Sequence, residues 1–161
     1  MNTRPRITTS LWFDDNAEAA MNHYVSIFKN SRVLSVKRYE GAGPDVVSHV
    51  LVCTFELDGS EFVAFNGGPM FKFNEAISLT VNCDSQAEVD EMWARLCEGG
   101  TPSQCGWLKD KFGVSWQVTP RVLVELLDQA DPVKSRRVMS AMLQMGKLDI
   151  AALRAASDGG G

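Results

Sequence analysis

Histidine is scarce in this 161-residue sequence, which contains only His23 and His49. Zinc and iron sites usually include imidazole ligands, so the sequence offers few ligands for a metal centre of that kind. The four cysteines, at positions 53, 83, 97 and 105, form neither a C-x-x-C pair nor the spacing of a disulfide framework. We therefore expect reduced thiols, most of them buried.

Long apolar runs and clusters of basic residues are also missing. No apolar run approaches the roughly 20 residues that span a bilayer, and the N-terminal MNTRPRITTS lacks the apolar core of a signal peptide. The sequence thus predicts a cytoplasmic protein without a membrane partner. The formal net charge of -4 and the absence of a Lys/Arg stripe argue against a nucleic-acid partner.

The residues that are present suit a soluble globular protein, with 45% hydrophobic and 22% charged positions. A chain of this length can form one domain with a substantial core, or two small fused modules. A faint internal repeat favours two modules. Ser10-Leu11 followed by Ala17-Glu18 reappears as Ser78-Leu79 followed by Ala87-Glu88.

Each copy of the repeat begins with a strand-like alternating run, at 7–13 and 76–82, and continues into an amphipathic helix. Asp15-x-x-Glu18 resembles a capping box at the first helix, and Ser85-x-x-Glu88 matches the pattern at the second. Gly99-Gly100 is expected to end the second helix.

The remaining strands complete a β-α-β-β-β order in each copy. In the first, strands are predicted at 31–39, 48–57 and 61–65, and Asp58-Gly59 is a hairpin turn. In the second, they are predicted at 106–110 and 113–120, with a short strand around 101–105. Gly67-Gly68-Pro69 reads as a crossover loop between the copies.

The C-terminal part is predicted to be helical. Helices are expected at 122–129, at 132–145 after an Asp131-Pro132 start, and at 148–156, with SDGGG as a disordered tail. The predicted division is a domain at 1–124, with modules at about 5–66 and 75–120, and an extension at 125–161. The Met-rich part of the extension is expected to pack on the sheet or on a second subunit.

One face of three strands carries small polar groups where a solvated strand would carry Lys, Glu and Arg. The apolar faces are Ile7, Leu11 and Phe13; Ile77, Leu79 and Val81; and Val114, Trp116 and Val118. The opposite faces are Thr8, Ser10 and Trp12; Ala76, Ser78, Thr80 and Asn82; and Ser115, Gln117 and Thr119. These polar faces predict either a concave binding cavity or a hydrogen-bonded contact between sheets.

Three segments resemble a known family: WFDDNAEAA, FNGGPMFKFNEAISLTVNCDSQAEVDEMWARL and GWLKDKFGVSWQVTP. They are similar to the PhnB-like branch of the vicinal oxygen chelate superfamily, the glyoxalase, bleomycin-resistance and extradiol-dioxygenase group. Members close to this pattern often carry the domain name 3-demethylubiquinone-9 3-methyltransferase. The resemblance covers about residues 5–120. It implies an α+β fold in which two βαβββ modules form an open, incomplete barrel, with the C-terminal helices as an extension.

The resemblance also implies where a divalent metal would bind. The matching positions are Thr8 or Ser10, Ala76 or Ser78, Asn66, and Gln117 in place of the usual Glu. Hydroxyls and amides carry no anionic charge to offset the desolvation of a divalent cation. We therefore expect no metal and no cofactor, with a weakly held divalent metal as the alternative.

The first functional hypothesis is a homodimer that binds an unidentified small molecule in a metal-free cleft. The predicted cleft residues are Thr8, Ser10, Trp12, Asn66, Phe73, Ser78, Trp107 and Gln117. The alternative is an enzyme of the same fold that uses a weakly held metal, or Glu75, Asp110 or His49 as acid or base. An ion pair would explain Glu75 equally well, and a turn or an ion pair would explain Asp110.

A third hypothesis is a protein whose sheets and helical extension serve subunit association only. Methyl transfer has no support in the residues, because no glycine-rich loop follows a strand and opens a helix. The glycines of FNGGP lead into a loop instead.

Overall fold

The computed structural model describes residues 4–39 and 49–160, apart from the side chains of residues 39 and 49–51. The chain divides into two compact units, Met1–Phe73 and Asn74–Gly161. No helix in the described part of the chain is both long and apolar enough to cross a membrane.

The first unit has the predicted β-α-β-β-β order. Its elements are β1 (Thr9–Phe13), α1 (Ala17–Ile27), β2 (Arg32–Tyr39), β3 (His49–Leu57) and β4 (Ser60–Asn66). The sheet order is β1-β4-β3-β2, with β1 parallel to β4 and the other pairs antiparallel. The Asp58-Gly59 hairpin is confirmed, because Leu57 pairs with Ser60 and both turn residues have positive φ, 44° and 81°.

Helix α1 covers one face of this sheet. Its buried residues are Ala17, Ala20, Met21, Tyr24 and Ile27. The helix contacts β3 and β4, where Cys53, Phe55 and Ala64 are fully buried. Burial of these apolar side chains supplies the main stabilisation of the unit.

The predicted capping box at the start of α1 is wrong. The N-cap residue is Asn16, and its side chain makes no capping hydrogen bond. Instead Asn66, at the end of β4, accepts a hydrogen bond from the backbone N–H of Ala17 at 2.9 Å. Glu18 forms an ion pair with Arg38 on β2. The helix start is therefore capped by a residue distant in sequence.

The second unit repeats the topology of the first. Its elements are β5 (Leu79–Cys83), α2 (Gln86–Cys97), β6 (Thr101–Pro102), β7 (Trp107–Lys109) and β8 (Ser115–Pro120). The sheet order is β5-β8-β7-β6, with β5 parallel to β8. The described strands thus form two separate four-stranded sheets, neither of them closed into a barrel. The predicted α+β fold of two βαβββ modules is confirmed.

Local sequence signals predicted both ends of α2 correctly. Ser85 accepts a hydrogen bond from the backbone N–H of Glu88, as predicted, and Gly99 follows the helix with φ of 71°. The starts of β1 and β5, however, were predicted too early in the sequence. Ile7 and Ile77 precede these two strands and are 91% and 77% exposed, so neither packs on a helix.

Three helices follow β8 in the second unit: α3 (Arg121–Leu127), α4 (Pro132–Met142) and α5 (Ile150–Asp158). Leu123, Val138, Leu148 and Leu153 form their buried cluster. Asp131 caps α4 through the N–H groups of Val133 and Lys134, as its position before proline predicts.

Helix α4 ends three residues earlier than predicted because the chain after it pairs with the segment before β7. The backbone N–H of Cys105 donates to Met145 O, and that of Gly106 donates to Gly146 O, each at 2.7 Å. Residues 145 and 146 therefore leave the helix and accept hydrogen bonds from the segment before β7. Gln86, at the start of α2, also donates to Leu148 O and accepts from Ile150 N. The extension is thus hydrogen bonded to the second module.

The tail predicted as disordered is helical as far as Asp158. Ser157 is buried and donates to Gln129, while Arg137 donates to the carbonyls of Ala156 and Ser157. Gly159 then adopts φ of 85° as a C-terminal cap. A buried serine and a satisfied helix end explain why small residues are ordered here.

The four cysteines are free, as predicted. Cys53 and Cys83 are fully buried, whereas Cys97 and Cys105 are half-buried, so the expectation that most of them are buried holds for only two. Burial raises the pKa of Cys83 from 9.0 to about 12. Desolvation also raises the pKa values of Cys53 and Cys97.

We expect Cys83 to make the fold sensitive to alkali. Below about pH 9 the thiol is protonated in both states and adds no pH dependence. Between the unfolded pKa of 9.0 and the folded value of about 12, only the unfolded chain loses the proton, so the free energy of unfolding falls as pH rises. Urea denaturation at about pH 8 and pH 10.5 should show a smaller fall for Cys83→Ala than for the native chain. Equal falls would contradict this role of Cys83.

Candidate functional site

The two faces of the second sheet differ in character. Helix α2 contacts β5, β7 and β8, and Trp116 and Val118 of β8 are buried. Because strand side chains alternate, Ser115, Gln117 and Thr119 lie on the opposite face. The strand register places Gln117 between Thr80 of β5 and Trp107 of β7. The polar alternation seen in the sequence therefore becomes a continuous polar face across three strands.

Gln117 and Ser78 are directly linked on this face. Gln117 Nε2 donates to Ser78 Oγ at 2.9 Å, and both residues are half-buried. Trp107 is the register partner of Gln117 and is also half-buried. The structure thus brings together Ser78, Trp107 and Gln117, all predicted as cleft residues.

A cavity of about 290 Å³ opens beside this trio. Its lining residues are Glu75, Thr101, Pro102, Ser103, Trp107, Leu108, Lys109 and Ser115. Ligand pockets in proteins start at about 300 Å³, so the cavity suits a small compound. Lys109 and Ser115 were not among the predicted cleft residues. Strand parity already placed Ser115 on the face of Gln117, and the same rule places Lys109 on the face of Trp107, two residues away.

Ser115 is a buried polar residue in the cavity wall. Its side chain is 2% exposed, and its hydroxyl has no hydrogen-bond partner among the described residues. Buried hydroxyls normally have partners, because leaving one unpaired costs free energy. A buried water molecule would remove this cost.

Lys109 and Glu75 provide the charges of the cavity. Lys109 Nζ forms an ion pair with Glu75 Oε1, and their side chains are 40% and 64% exposed. The hydrogen bond from Lys109 holds the pKa of Glu75 below its usual value. Glu75 is therefore ionised at neutral pH and poorly suited to donate a proton.

Asp110 is buried and acts as a hydrogen-bond acceptor in the turn between β7 and β8. Its Oδ1 accepts from the backbone N–H groups of Phe112 and Val114 at 2.9 and 3.0 Å. Its Oδ2 accepts from Trp116 Nε1 at 2.8 Å. These bonds give the carboxylate a structural role. A role as acid or base stays a prediction, as does that of His49, whose side chain lies outside the described residues.

In the first unit, Trp12 is surrounded by aromatic rings and a glycine loop. Its ring lies edge-on to Phe65 and Phe71, with centroids 5.2 and 5.0 Å away. Its Nε1 donates to Gly68 O at 2.9 Å. A Cβ on Gly67 would lie 2.2 Å from Trp12 Cε2, so only glycine allows this approach. Gly67 of FNGGP therefore makes room for the indole ring of Trp12, and Gly68 accepts its hydrogen bond.

The other predicted cleft residues of the first unit have mixed surroundings. Asn66 caps α1, as described above, and Phe73 packs edge-on against Phe13 at 5.1 Å. Ser10 shares the face of Trp12 and is exposed, while Thr8 precedes β1 and is half-buried. Their assignment to a ligand site stays a prediction.

The residues at the positions implied for a metal do not fit a divalent cation. Asn66 uses its side-chain oxygen to cap α1, and Ser78 Oγ accepts from Gln117. The donors are neutral, whereas hard divalent cations favour carboxylate oxygens and transition metals favour imidazole and thiolate. Among the side chains that the structure describes, which do not include that of His49, no group of three or more His, Cys, Asp or Glu residues is arranged to hold a metal ion.

Comparison with known proteins identifies relatives of this chain. A PhnB protein from Bacillus cereus, which bears the 3-demethylubiquinone-9 3-methyltransferase description as a provisional assignment, is 38% identical, with a TM-score of 0.67 over 72% of this chain and 99% of that one. Protein PA1353 from Pseudomonas aeruginosa is 20% identical, with a TM-score of 0.60 over 73% and 98% of the two chains.

A third solved structure, the fosfomycin resistance protein FosX from Listeria monocytogenes, is 16% identical, with a TM-score of 0.54 over 80% of this chain and 100% of its own. At these identities, PA1353 and FosX show the shared fold alone. No curated protein sequence matches the chain.

A family model described as 3-demethylubiquinone-9 3-methyltransferase matches residues 5–119, which include both βαβββ modules and end before α3. The helical extension lies beyond this match. The chain therefore belongs to the PhnB-like 3-demethylubiquinone-9 3-methyltransferase family.

Proposed function

We propose that this protein binds a small molecule on the polar face of its second sheet, without a metal. The observation that carries the proposal is the cavity of about 290 Å³ beside Trp107, with the unpaired hydroxyl of Ser115 in its wall. Binding sites commonly combine apolar area with a few placed polar groups. Trp107 supplies the first, and the lining residues Thr101, Ser103 and Lys109 supply the second. Gln117 lies beside Trp107 in the strand register.

The Gln117–Ser78 hydrogen bond supports binding over catalysis. A neutral amide and a hydroxyl can orient a ligand, but neither is a strong acid or base near neutral pH. The carboxylates nearest the cavity are already occupied, Glu75 by Lys109 and Asp110 by its turn and Trp116. Acid–base catalysis is therefore not part of the proposal.

Methyl transfer, which the family description names, is also outside the proposal. The backbone N–H groups of Gly67 and Gly68 donate to the carbonyls of Phe13 and Asp14. These two amides are thus engaged and are not open to the carboxylate of a methyl donor.

A ligand screen with matched variants tests the proposal. A compound that binds only the folded state raises the free energy of unfolding by about 2.7 kcal/mol at 100 times its Kd. We expect Trp107→Phe and Gln117→Leu each to raise the apparent Kd at least tenfold and thereby to lower this stabilisation. Trp93→Phe, which makes the same change on α2, should leave it unaltered.

Two results would contradict the proposal. The first is a broad screen of metabolites in which no compound gives saturable stabilisation of the metal-free protein. The second is a ligand whose affinity is the same in the native chain, Trp107→Phe and Gln117→Leu, because such a ligand binds elsewhere. Chelator treatment before the screen keeps metal-dependent binding separate.

A further inference from the structure

Lys109 is the cation of the cavity, and the sheet fixes its position. It lies on β7 between Thr101 of β6 and Ser115 of β8, its two register partners. Directly paired strand residues project to the same side of a sheet. Lys109 therefore presents its ammonium group on the same face as the Thr101 and Ser115 side chains.

Glu75, its partner, is held much less firmly. It lies in the connection between β4 and β5, outside any helix or strand, and its side chain is 64% exposed. Exposed ion pairs of this kind contribute little, so exchanging Glu75 for another carboxylate would cost at most about fivefold in affinity. The ion pair thus places an exchangeable carboxylate on a fixed lysine at the cavity.

The rest of the cavity suits the body of an aromatic or planar acid. Trp107 offers a ring for stacking, and Pro102 adds apolar surface. The hydroxyls of Ser103 and Thr101 line the same space, and that of Ser115 has no partner among the described residues. A carboxylate accepts hydrogen bonds only, which matches a lysine surrounded by hydroxyl donors.

We propose that the cavity takes a small planar organic carboxylate, whose anionic group replaces Glu75 on Lys109 while its ring packs on Trp107. Glu75 is then an internal counter-ion that occupies Lys109 when no ligand is bound. This inference rests on the proposed function and adds to it the charge class of the ligand and the residue that competes with it.

The experiment compares acids with their uncharged counterparts. Benzoate, nicotinate and indole-3-carboxylate are titrated into the full chain by calorimetry, each beside its primary amide, with benzylamine as a cationic probe. We expect at least one acid to bind at least tenfold tighter than its amide. Glu75→Gln should tighten binding of that acid two- to fivefold, because the competing carboxylate is gone.

Lys109→Gln should lower the affinity for the same acid at least tenfold, whereas Lys109→Arg should retain most of the affinity. The matched controls are Lys147→Gln and Glu91→Gln, which alter exposed ion pairs with Asp90 and Arg95 that do not line the cavity. Neither control should change the affinity. Circular dichroism of each variant verifies that the fold is retained.

Three outcomes overturn the inference. The first is saturable binding of an amide or of benzylamine with no acid binding tighter, which leaves the proposed function standing when Trp107→Phe abolishes that binding. The second is an acid whose affinity is unchanged in Glu75→Gln and Lys109→Gln. Absence of binding by every acid in the millimolar range also rejects it, while the metabolite screen judges the proposed function separately.

Discussion

Asp110→Ala should lower the free energy of unfolding by about 4 kcal/mol, because each hydrogen bond to a buried charged group contributes about 1.5–3 kcal/mol. The carboxylate is 3% exposed and accepts from Phe112 N, Val114 N and Trp116 Nε1. Alanine would leave these donors in the interior without an acceptor. Urea denaturation should show a lower midpoint with an unchanged slope.

Two further variants divide this effect between the donors of Asp110. Trp116→Phe removes only the indole N–H and should cost less than Asp110→Ala. Asp110→Asn keeps a side-chain oxygen that accepts from the backbone N–H groups but points an amide N–H₂ group at a donor. Its loss of stability should therefore fall between those of the other two variants. Asp128→Ala, an exposed site after α3, should change stability by less than about 0.5 kcal/mol. A loss below about 1 kcal/mol for Asp110→Ala would refute the structural role of its carboxylate.

Gly100→Ala should destabilise the protein by about 3 kcal/mol, at the upper end of the usual cost of overpacking. A Cβ on Gly100 would lie 2.2 Å from Lys109 O and 2.9 Å from Asp110 Cα. Both are backbone atoms, so no side-chain rotation can relieve the overlap. The end of α2 and strand β7 would have to separate.

The control for Gly100→Ala is Gly146→Ala, whose added Cβ would lie 3.5 Å from Ser103 O, an ordinary contact. Its stability should change by less than about 0.5 kcal/mol. Gly100 precedes β6, whose residues Thr101 and Pro102 contribute to the cavity wall. Gly100→Ala should therefore also weaken the binding of any ligand in the cavity. Equal stability of the two alanine variants would show that β7 adjusts without cost.

Local sequence signals predicted the order of the elements well. Asp58-Gly59 predicted the hairpin, Ser85 the start of α2 and Asp131-Pro132 the start of α4, because each signal acts through backbone groups within a few residues. The signals failed where distant groups act. Asp15 does not cap α1 since Asn66 does, and α4 ends early because residues 145 and 146 bind the segment before β7.

The candidate site was predictable only as a polar strand face. Alternation around Gln117 indicated which side chains avoid the helix, and the register then placed Trp107 beside Gln117. Glu75 and Lys109 were visible as charged residues, but nothing in their spacing shows that they form an ion pair beside a cavity. Such pairing depends on how the segment before β5 lies against β7.

Periodicity, turn residues and characteristic segments were enough to predict the two βαβββ modules and the family, because they can be read without knowing distant contacts. Which polar groups are already engaged became clear only from the folded chain. Asn66 caps a helix, Asp110 holds a turn, and Glu75 occupies Lys109. The physical reason is that a hydrogen bond or ion pair between distant residues depends on the position of both backbones, which folding alone brings together.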